Sequence, residues 1–524
     1  MQSLFRKTFW LSLATFLNRI LGFIRELLLA RFLGCGVMMS AWSYAWMLPN
    51  MFRRILGEGA LGTVLIPVLT ETFEKEGYEA GQKKFSTVVI WLFFLLTLIT
   101  VLFAGAALIL EPFIEPERWK LALLTVPVIM PYCILICCVG VFTSVLNTFQ
   151  IFVRPALMEL LPNLFFIGTV YFFLPELMDT PVKALRVISV AMLISGTLEF
   201  LCLGIILHKQ KMFPKVSRQI LVNFPVLREI WKKLLPGLVG ASALQIGSLV
   251  DASLAMGIGD YAKAAIHYSD RLVYLPIGIF GVAFGVVSLP MLSKFIAENK
   301  FKSMLISSFK SIRQMLFITI PVTVLMAIFS KDLLKMFFYG GKFDDHALNE
   351  AHQAMFWFVF GIPFFCLIKL VVNTFYCRKD MKTPAAVSIC CIILNLILSI
   401  ILRESMKQGG LTLATVVASV VNNVVLLWIL RKELGRMPLA GTVKFAGIIL
   451  MLSVISGAGA YWSHQWLQGH PEWHFLPRGI IPLFGGGCVF MMIFVCLCLI
   501  FRIHELRALI IRFQQKLSRK KKRA

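Results

Sequence analysis

The chain has 524 residues, 58% of them hydrophobic and 15% charged, with a mean hydropathy of +0.82 and a formal net charge of +25. No interval is long and polar enough for a soluble domain, so the composition points to a polytopic membrane protein. The basic excess resembles a nucleic-acid footprint, but it gathers in alternate loops between apolar runs, so no nucleic-acid partner is expected.

The first apolar stretch covers residues 8–33 and contains "NRILGFIREL", with Arg19, Arg25 and Glu26 inside it. Asn18 and Arg19 interrupt the run and no small-x-small site follows, so it reads as a retained helix rather than a signal peptide. The second stretch, 38–70, carries Arg53, Arg54 and Glu58. Apolar runs follow at 85–111, 119–149, 156–175 and 187–207. The polar connection 208–233 places Val216, Ile220, Leu221, Phe224 and Leu227 among Lys and Arg, the spacing of a helix lying on the cytoplasmic interface. Run 234–258 holds Asp251, and run 264–293 holds His267, Asp270 and Arg271. Nearly uncharged runs complete the chain at 306–329, 354–376, 384–402, 411–430, 442–466 and 479–501. With roughly 20 apolar residues per crossing, the sum is about 14 helices.

Basic residues cluster at Lys83 and Lys84, at Lys209, Lys211, Lys215 and Arg218, at Lys300 and Lys302, at Arg378, Lys379 and Lys382, and at Arg431 and Lys432. This positive-inside pattern places both termini in the cytoplasm, where the tail "SRKKKRA" would attract anionic lipid headgroups. The twelve cysteines lie mostly within apolar runs, which suits small, buried, reduced side chains rather than disulfides or zinc ligands.

The chain repeats itself at an offset near 226: "LNTF" at 146–149 returns as "VNTF" at 372–375, Leu48-Pro49 as Leu275-Pro276, "IPVLT" at 66–70 as "LPMLS" at 289–293, and Asn163-Leu164 as Asn395-Leu396. Six helices separate the copies, so both face the same way across the membrane. The expected architecture is all-α: an N-terminal six-helix lobe within 1–208, an interfacial linker at 209–231, and a second six-helix lobe at 232–431. Two extra helices at 442–501 and a basic tail at 502–524 follow. Two parallel lobes about a central cavity are a transporter plan, with alternating access by rocking.

A charge at mid-membrane costs at least about 2.5 kcal/mol on insertion scales. The deep charges concentrate in the first two helices of each lobe and are expected to line one water-filled cavity. The structural alternatives are snorkelling of Arg25 and Glu26 and simple i, i+4 pairing of Arg54 with Glu58. Arg19 and Arg25 are six positions apart and do not share a face of a straight helix, though Gly22 between them could permit a bend. Arg19, Arg25, Arg53 and Arg271 lack an obvious neutralising carboxylate each. Surplus guanidinium fits an anion, and phosphate above all, so the expected ligand is a phosphorylated amphiphile.

"GEGALG" at 57–62 matches a dinucleotide fingerprint but lacks the strand and βαβ unit that the fingerprint needs. No P-loop and no H-E-x-x-H occur, and no enzyme activity or cofactor is expected. Asp251 sits mid-run in "SLVDASLA". It is a candidate ligand for a coupling H⁺ or Na⁺, with oxygen donors from Asn395, Ser399 and Thr415. The plain alternative is a protonated, hydrogen-bonded acid.

"NRILGFIRE", "LPNMFRRILGEGA", "YSDRLVYLPIGIFGVAFG", "YGGKF" and "FYCRKDMKTP" closely resemble the MurJ (MviN) family of lipid II flippases, within the multidrug/oligosaccharidyl-lipid/polysaccharide exporter superfamily. The resemblance implies two six-helix lobes plus two C-terminal helices that form a groove for the polyprenyl tail. It implies transport of lipid II, the undecaprenyl-diphosphate-linked peptidoglycan precursor, across the bacterial cytoplasmic membrane. It also implies membrane lipids as surroundings, a functional monomer and contact with the peptidoglycan-synthesis machinery. The family's cavity arginines fall on Arg19, Arg25, Arg53 and Arg271; Glu26 matches an acidic position, and Glu58 and Asp270 lie in the shared motifs. Two positions depart, since Ser40 and Tyr274 stand where some relatives carry acids. The alternatives are an exporter of another polyprenyl-diphosphate glycan and a multidrug exporter. A cationic-drug exporter would show surplus carboxylates in the cavity instead of surplus Arg. A membrane scaffold or an intramembrane glycosyltransferase fits less well: the first need not bury charges, and the second needs clustered acids.

Overall fold

The computed structural model describes residues 2–57, 60–215, 224–435, 437–470 and 479–507. Glu58, residues 216–223 of the expected interfacial linker and most of the basic tail lie outside the described residues. Among the described residues every regular element is helical, and the sole β contact is an isolated bridge between Gly340 and Phe343. Lipid offers no hydrogen bonds, so an apolar run must satisfy its backbone internally, and helices do so.

Nine helices of the described residues are long and apolar enough to cross a membrane, or ten if the pair Glu117–Ile129 and Tyr132–Thr148, bent by 49°, is one span. The count of about 14 expected from span length is not reached by that measure. The charged first helices fall short of it. Helix α1 (Gln2–Leu33) carries Arg19, Arg25 and Glu26 within its apolar stretch, and α2 (Val37–Phe52) has only 16 residues before its geometry changes.

The chain divides into two compact units. The first comprises Met1–Ala264 together with Gly340–Ala347, and the second comprises Ala265–Tyr339 together with Leu348–Ala524. The first holds α1, α2, α3 (Ala60–Lys75), α4 (Tyr78–Leu110), α5 (Glu117–Ile129), α6 (Tyr132–Thr148), α7 (Val153–Met158), α8 (Leu160–Leu177), α9 (Pro181–Lys209) and α10 (Phe224–Ile258). Helix α10 packs on α2, α3 and α4. The core of this unit is built from Leu65, Leu69, Phe85, Leu96, Cys133, Cys137 and Leu203, with Phe142 stacked on Phe200 at 5.0 Å. Phe93, Phe94, Leu98 and Val101 on α4 point outward, a cost in water that lipid removes.

Gly340 to Phe343 of the motif "YGGKF" belong to this unit, and close approach explains them. The Lys342 N–H donates to the Arg31 carbonyl at 2.9 Å, at the end of α1. Gly341 has φ +63°, and a Cβ there would sit 2.2 Å from the Arg31 carbonyl oxygen. A side chain at Gly34, φ +67°, would meet the Lys342 carbonyl at 2.5 Å. Glycine is required on both sides of this contact.

The second unit contains α11 (Ala262–Pro276, from Ala265 onward), α12 (Val282–Ala297), α13 (Phe301–Ile328), α14 (Ser330–Phe338), α15 (Asp345–Phe358, from Leu348 onward), α16 (Ile362–Cys377), α17 (Lys382–Leu434), α18 (Leu439–Gln468) and α19 (Ile480–Ile500). Helix α17 has 53 residues, which would run about 80 Å if straight, far beyond a hydrocarbon core of about 30 Å. It breaks at Lys407, φ 48° and ψ −132°, and folds back on itself. The Thr415 hydroxyl thereby comes within 3.5 Å of the Asn395 side-chain oxygen, twenty positions away. Helices α18 and α19 pack closely on small residues. A Cβ on Gly486 would meet the Ala460 carbonyl at 3.1 Å, and one on Gly485 would meet Leu467 at 2.4 Å. These two glycines therefore serve helix–helix contact, while Gly487 faces open space. All twelve cysteines are free thiols.

Candidate substrate-binding site

Helix α1 runs beside α8, and its charged stretch meets polar groups there. Glu26 is buried at 3% exposure. The Arg25 guanidinium donates to the Glu26 carboxylate at 2.9 Å and to the Asn163 side-chain oxygen of α8 at 3.0 Å. It also stands 5.7 Å from the centre of the Phe166 ring. Phe166 begins an aromatic wall: Trp42 lies 5.8 Å from it, Trp46 stacks on Trp42 at 5.7 Å, and Tyr132 lies 5.3 Å from Trp46. Half-buried beside apolar rings, this cation interacts more strongly with charge than it would in water.

Arg19 lies on the same helix but is exposed, as the six-residue spacing implies. Arg53 is half-buried, and its Nε donates to the Asn50 side-chain oxygen at 3.2 Å. Asn50 in turn donates to the Trp46 carbonyl at 3.2 Å, so the "LPN" motif orients Arg53. Arg54 is exposed. Pro49 cannot donate a helical hydrogen bond, and a π-turn over Arg53–Gly57 follows it. The second unit repeats the device: Pro276 precedes a π-turn over Ile277–Gly281. Single π-turns of this kind recur at functional sites, because the extra residue re-aims the side chains that follow.

On α11, Ala265, Tyr268, Ser269, Leu272 and Val273 are buried, with Tyr268 packed on Phe338 at 4.9 Å and the Ser269 hydroxyl donating to the Ala351 carbonyl at 3.0 Å. Helical spacing leaves His267, Asp270 and Arg271 half-buried on the other face. Arg271 therefore belongs to the second unit, while Arg19, Arg25 and Arg53 belong to the first. Asp251 is half-buried on α10 of the first unit. Asn395 and Thr415 come together in the second unit through the fold-back of α17, and Ser399 stands one helical turn after Asn395. Ser399 is fully buried, and its hydroxyl has no hydrogen-bond partner among the described residues. Among the described residues no group of three or more His, Cys, Asp or Glu could hold a metal ion.

Ser40 is fully buried. Its hydroxyl donates to the Asp260 carbonyl at 2.6 Å and accepts from the Ala264 N–H at 3.2 Å, satisfying an orphan donor of the first turn of α11. The expectation that helices outside the first two of each lobe carry almost no charge misses several groups, among them Arg313, which is half-buried over the Phe445 ring, and two more. Glu199 is buried within α9, and Lys369 is half-buried in α16, where it faces Gly285 of α12. Each is the single charged residue of its apolar run in the sequence, so the rule that singled out Asp251 reaches them too. Asn163, Asn18 and Glu159 carry no such signal, because neutral amides and helix-end acids are common.

A sequence profile described as lipid II flippase MurJ matches residues 29–477. The lipid II flippase MurJ of Burkholderia cenocepacia is 28% identical over 472 residues, covering 88% of this chain and 90% of that protein. The probable lipid II flippase MurJ of Rhizobium tropici is 29% identical over 478 residues, covering 88% of each. A solved structure of lipid II flippase MurJ in an inward closed conformation superposes with a TM-score of 0.78 at 23% identity, covering 95% of this chain and 99% of that one. An inward-facing multidrug resistance MATE family transporter of the MOP superfamily gives a TM-score of 0.66 at 14% identity, over 82% of this chain and 96% of that one, which shows a shared fold alone. A profile match across most of the length, on a scaffold whose regular elements are all helical among the described residues, establishes that the chain belongs to the MurJ family.

Proposed function

We propose that this protein moves lipid II from the inner to the outer leaflet of the bacterial cytoplasmic membrane by alternating access, with both termini in the cytoplasm. The profile match over residues 29–477 carries the reading. The side chains supply the chemistry. Arg25 and Arg53 are half-buried guanidiniums whose orientation is set by Asn163, Glu26 and Asn50. Planar forks of this kind suit a diphosphate, and they stay charged at any physiological pH. Arg19 and Arg271 complete the set proposed to hold it, while Glu26, Arg54, Glu58, His267 and Asp270 tune charge and conformation. Helices α18 and α19 would keep the polyprenyl tail in lipid while the headgroup crosses.

With no nucleotide-binding motif in the sequence, energy would come from the membrane potential, an ion gradient or removal of product. The potential is worth about 2.3 kcal/mol per charge per 100 mV. Asp251 is assigned a role in returning the empty carrier by binding H⁺ or Na⁺. The oxygen cluster of Asn395, Ser399 and Thr415 is assigned a role as neutral donors to a hard cation. The protein would work as a monomer supplying the peptidoglycan-synthesis machinery. Purified protein reconstituted in vesicles with labelled lipid II tests the reading directly. Leaflet exchange of lipid II should accelerate over empty vesicles, and an equal acceleration of unrelated polyprenyl-diphosphate glycans would favour a broader exporter.

A further inference from the structure

Arg25 does not reach Asn163 in isolation. The Asn163 amide nitrogen donates to the Asn18 side-chain oxygen at 2.7 Å, and the Asn18 amide nitrogen approaches the Glu159 carboxylate at 3.4 Å. Arg25, Asn163, Asn18 and Glu159 thus form a chain in which every donor points the same way and the last acceptor is an anion. Such a chain admits one arrangement of both amides. Flipping Asn163 would turn its amino group toward the guanidinium and its carbonyl toward that of Asn18, losing both bonds. Flipping Asn18 would present its carbonyl to a carboxylate. The direction is therefore set at Glu159, where α7 meets α8, and transmitted across two amides to Arg25 on α1. Aligned hydrogen bonds polarise one another, so the acceptor facing Arg25 is stronger than a lone amide. Asn163 is 9% exposed, so water competes little for it.

We infer that Asn163 is the positioning residue for Arg25: its amide fixes the second arm of the guanidinium, beside the one Glu26 holds at 2.9 Å, without adding a second carboxylate. A second carboxylate in that place would outweigh the single charge of Arg25 and repel an anionic diphosphate. This inference rests on the proposed role of Arg25 in binding.

The test is transport of labelled lipid II by the full-length protein in vesicles, with initial rates measured across lipid II content for the parent, Asn163→Ala, Asn163→Asp, Arg25→Ala and Asn163→Ala/Arg25→Ala. Asn163→Ala should raise the apparent KM about ten-fold, the scale of one lost hydrogen bond to a charged group, with the maximal rate little changed. Asn163→Asp has the same shape and guards against misfolding. It should also raise KM, because its carboxylate pairs with Arg25 and cannot donate to Asn18. The double variant should be no weaker than Arg25→Ala alone, since a positioning residue has nothing left to position. If Arg25→Ala keeps the parent KM, the binding role of Arg25 fails and this inference with it. If Arg25→Ala weakens binding while both Asn163 variants match the parent, the positioning role alone is overturned. Additive losses in the double variant would also overturn it, because Asn163 would then act by a separate route.

Discussion

A Cβ placed on Gly57 would lie 3.3 Å from the Cα of Cys137, so the π-turn that carries Arg53 is pressed directly onto the backbone of α6. The second unit holds its π-turn the same way, with a Cβ on Gly281 lying 3.1 Å from Cys366 Sγ and 3.4 Å from its Cα. The first contact is tightened from the other side as well, since a Cβ on Gly140 would meet the Gly57 carbonyl oxygen at 2.7 Å. Gly140→Ala should therefore push α6 away from the turn and cost about 1–3 kcal/mol, the usual scale of overpacking. Gly168→Ala, with nothing within 4 Å, serves as the control and should be neutral. Thermal unfolding in detergent checks both, and an unchanged midpoint for Gly140→Ala would mean that the turn is not held by this contact.

Among the four arginines, replacement by Ala at Arg25 or Arg53 should remove a charge-assisted bond to the diphosphate worth roughly 1.5–3 kcal/mol, or about ten- to a hundred-fold in affinity. Lys should restore only part of this, lacking the planar fork. Binding of lipid II to each variant is the measurement. Parent-like affinity and transport in the Ala variants of Arg19, Arg25, Arg53 and Arg271 alike would sink the diphosphate reading.

Ion coupling makes separable predictions. Asp251→Asn should leave lipid II binding intact and abolish any dependence of transport on the pH or Na⁺ gradient. Ser399→Ala should leave stability unchanged or slightly raised, because it deletes a buried hydroxyl that has no partner among the described residues. Its transport should need a higher Na⁺ concentration if the cluster with Asn395 and Thr415 receives that ion. Vesicle transport under imposed gradients decides this, and parent protein that ignores both gradients would remove the role of Asp251.

Asp380 supplies a pH prediction at the start of α17. Its carboxylate accepts from the Lys382 and Thr383 N–H groups, each at 3.1 Å, two donors that the helix itself leaves open. Hydrogen bonds from the Thr383 side chain and then its N–H hold the carboxyl below its ordinary range. A lowered folded pKa means that this stabilisation is fully present above about pH 4, the unfolded value, and is lost as pH falls through the folded value. Asp380→Ala should cost about 1 kcal/mol at neutral pH and flatten the acid limb of the stability curve. Urea or thermal midpoints measured from pH 3 to pH 7 check it, and parallel curves for parent and variant would refute the capping role.

The amino-acid sequence by itself determined the class of the protein. Apolar runs in lipid can only be helices, because backbone groups must bond within the run, and charge in the loops is read by position alone. Arg25 and Glu26 were legible as costly residues at depth, and the repeat pairing Leu48-Pro49 with Leu275-Pro276 marks where both units form a π-turn. What holds these residues was settled only by folding. Asn18, Asn163 and Glu159 are unremarkable as residue types, and they become a directed chain only when α1 meets α8, more than a hundred positions away. Asn395 and Thr415 approach each other because Lys407 breaks α17, a reversal inside a run that composition reads as continuous helix. Helix α10 packs within the first unit, on α2, α3 and α4, because packing follows complementary surfaces and not position along the chain. Span and charge are local properties of a chain. Partner, direction and register depend on which surfaces tertiary contact brings together, and no local pattern encodes them.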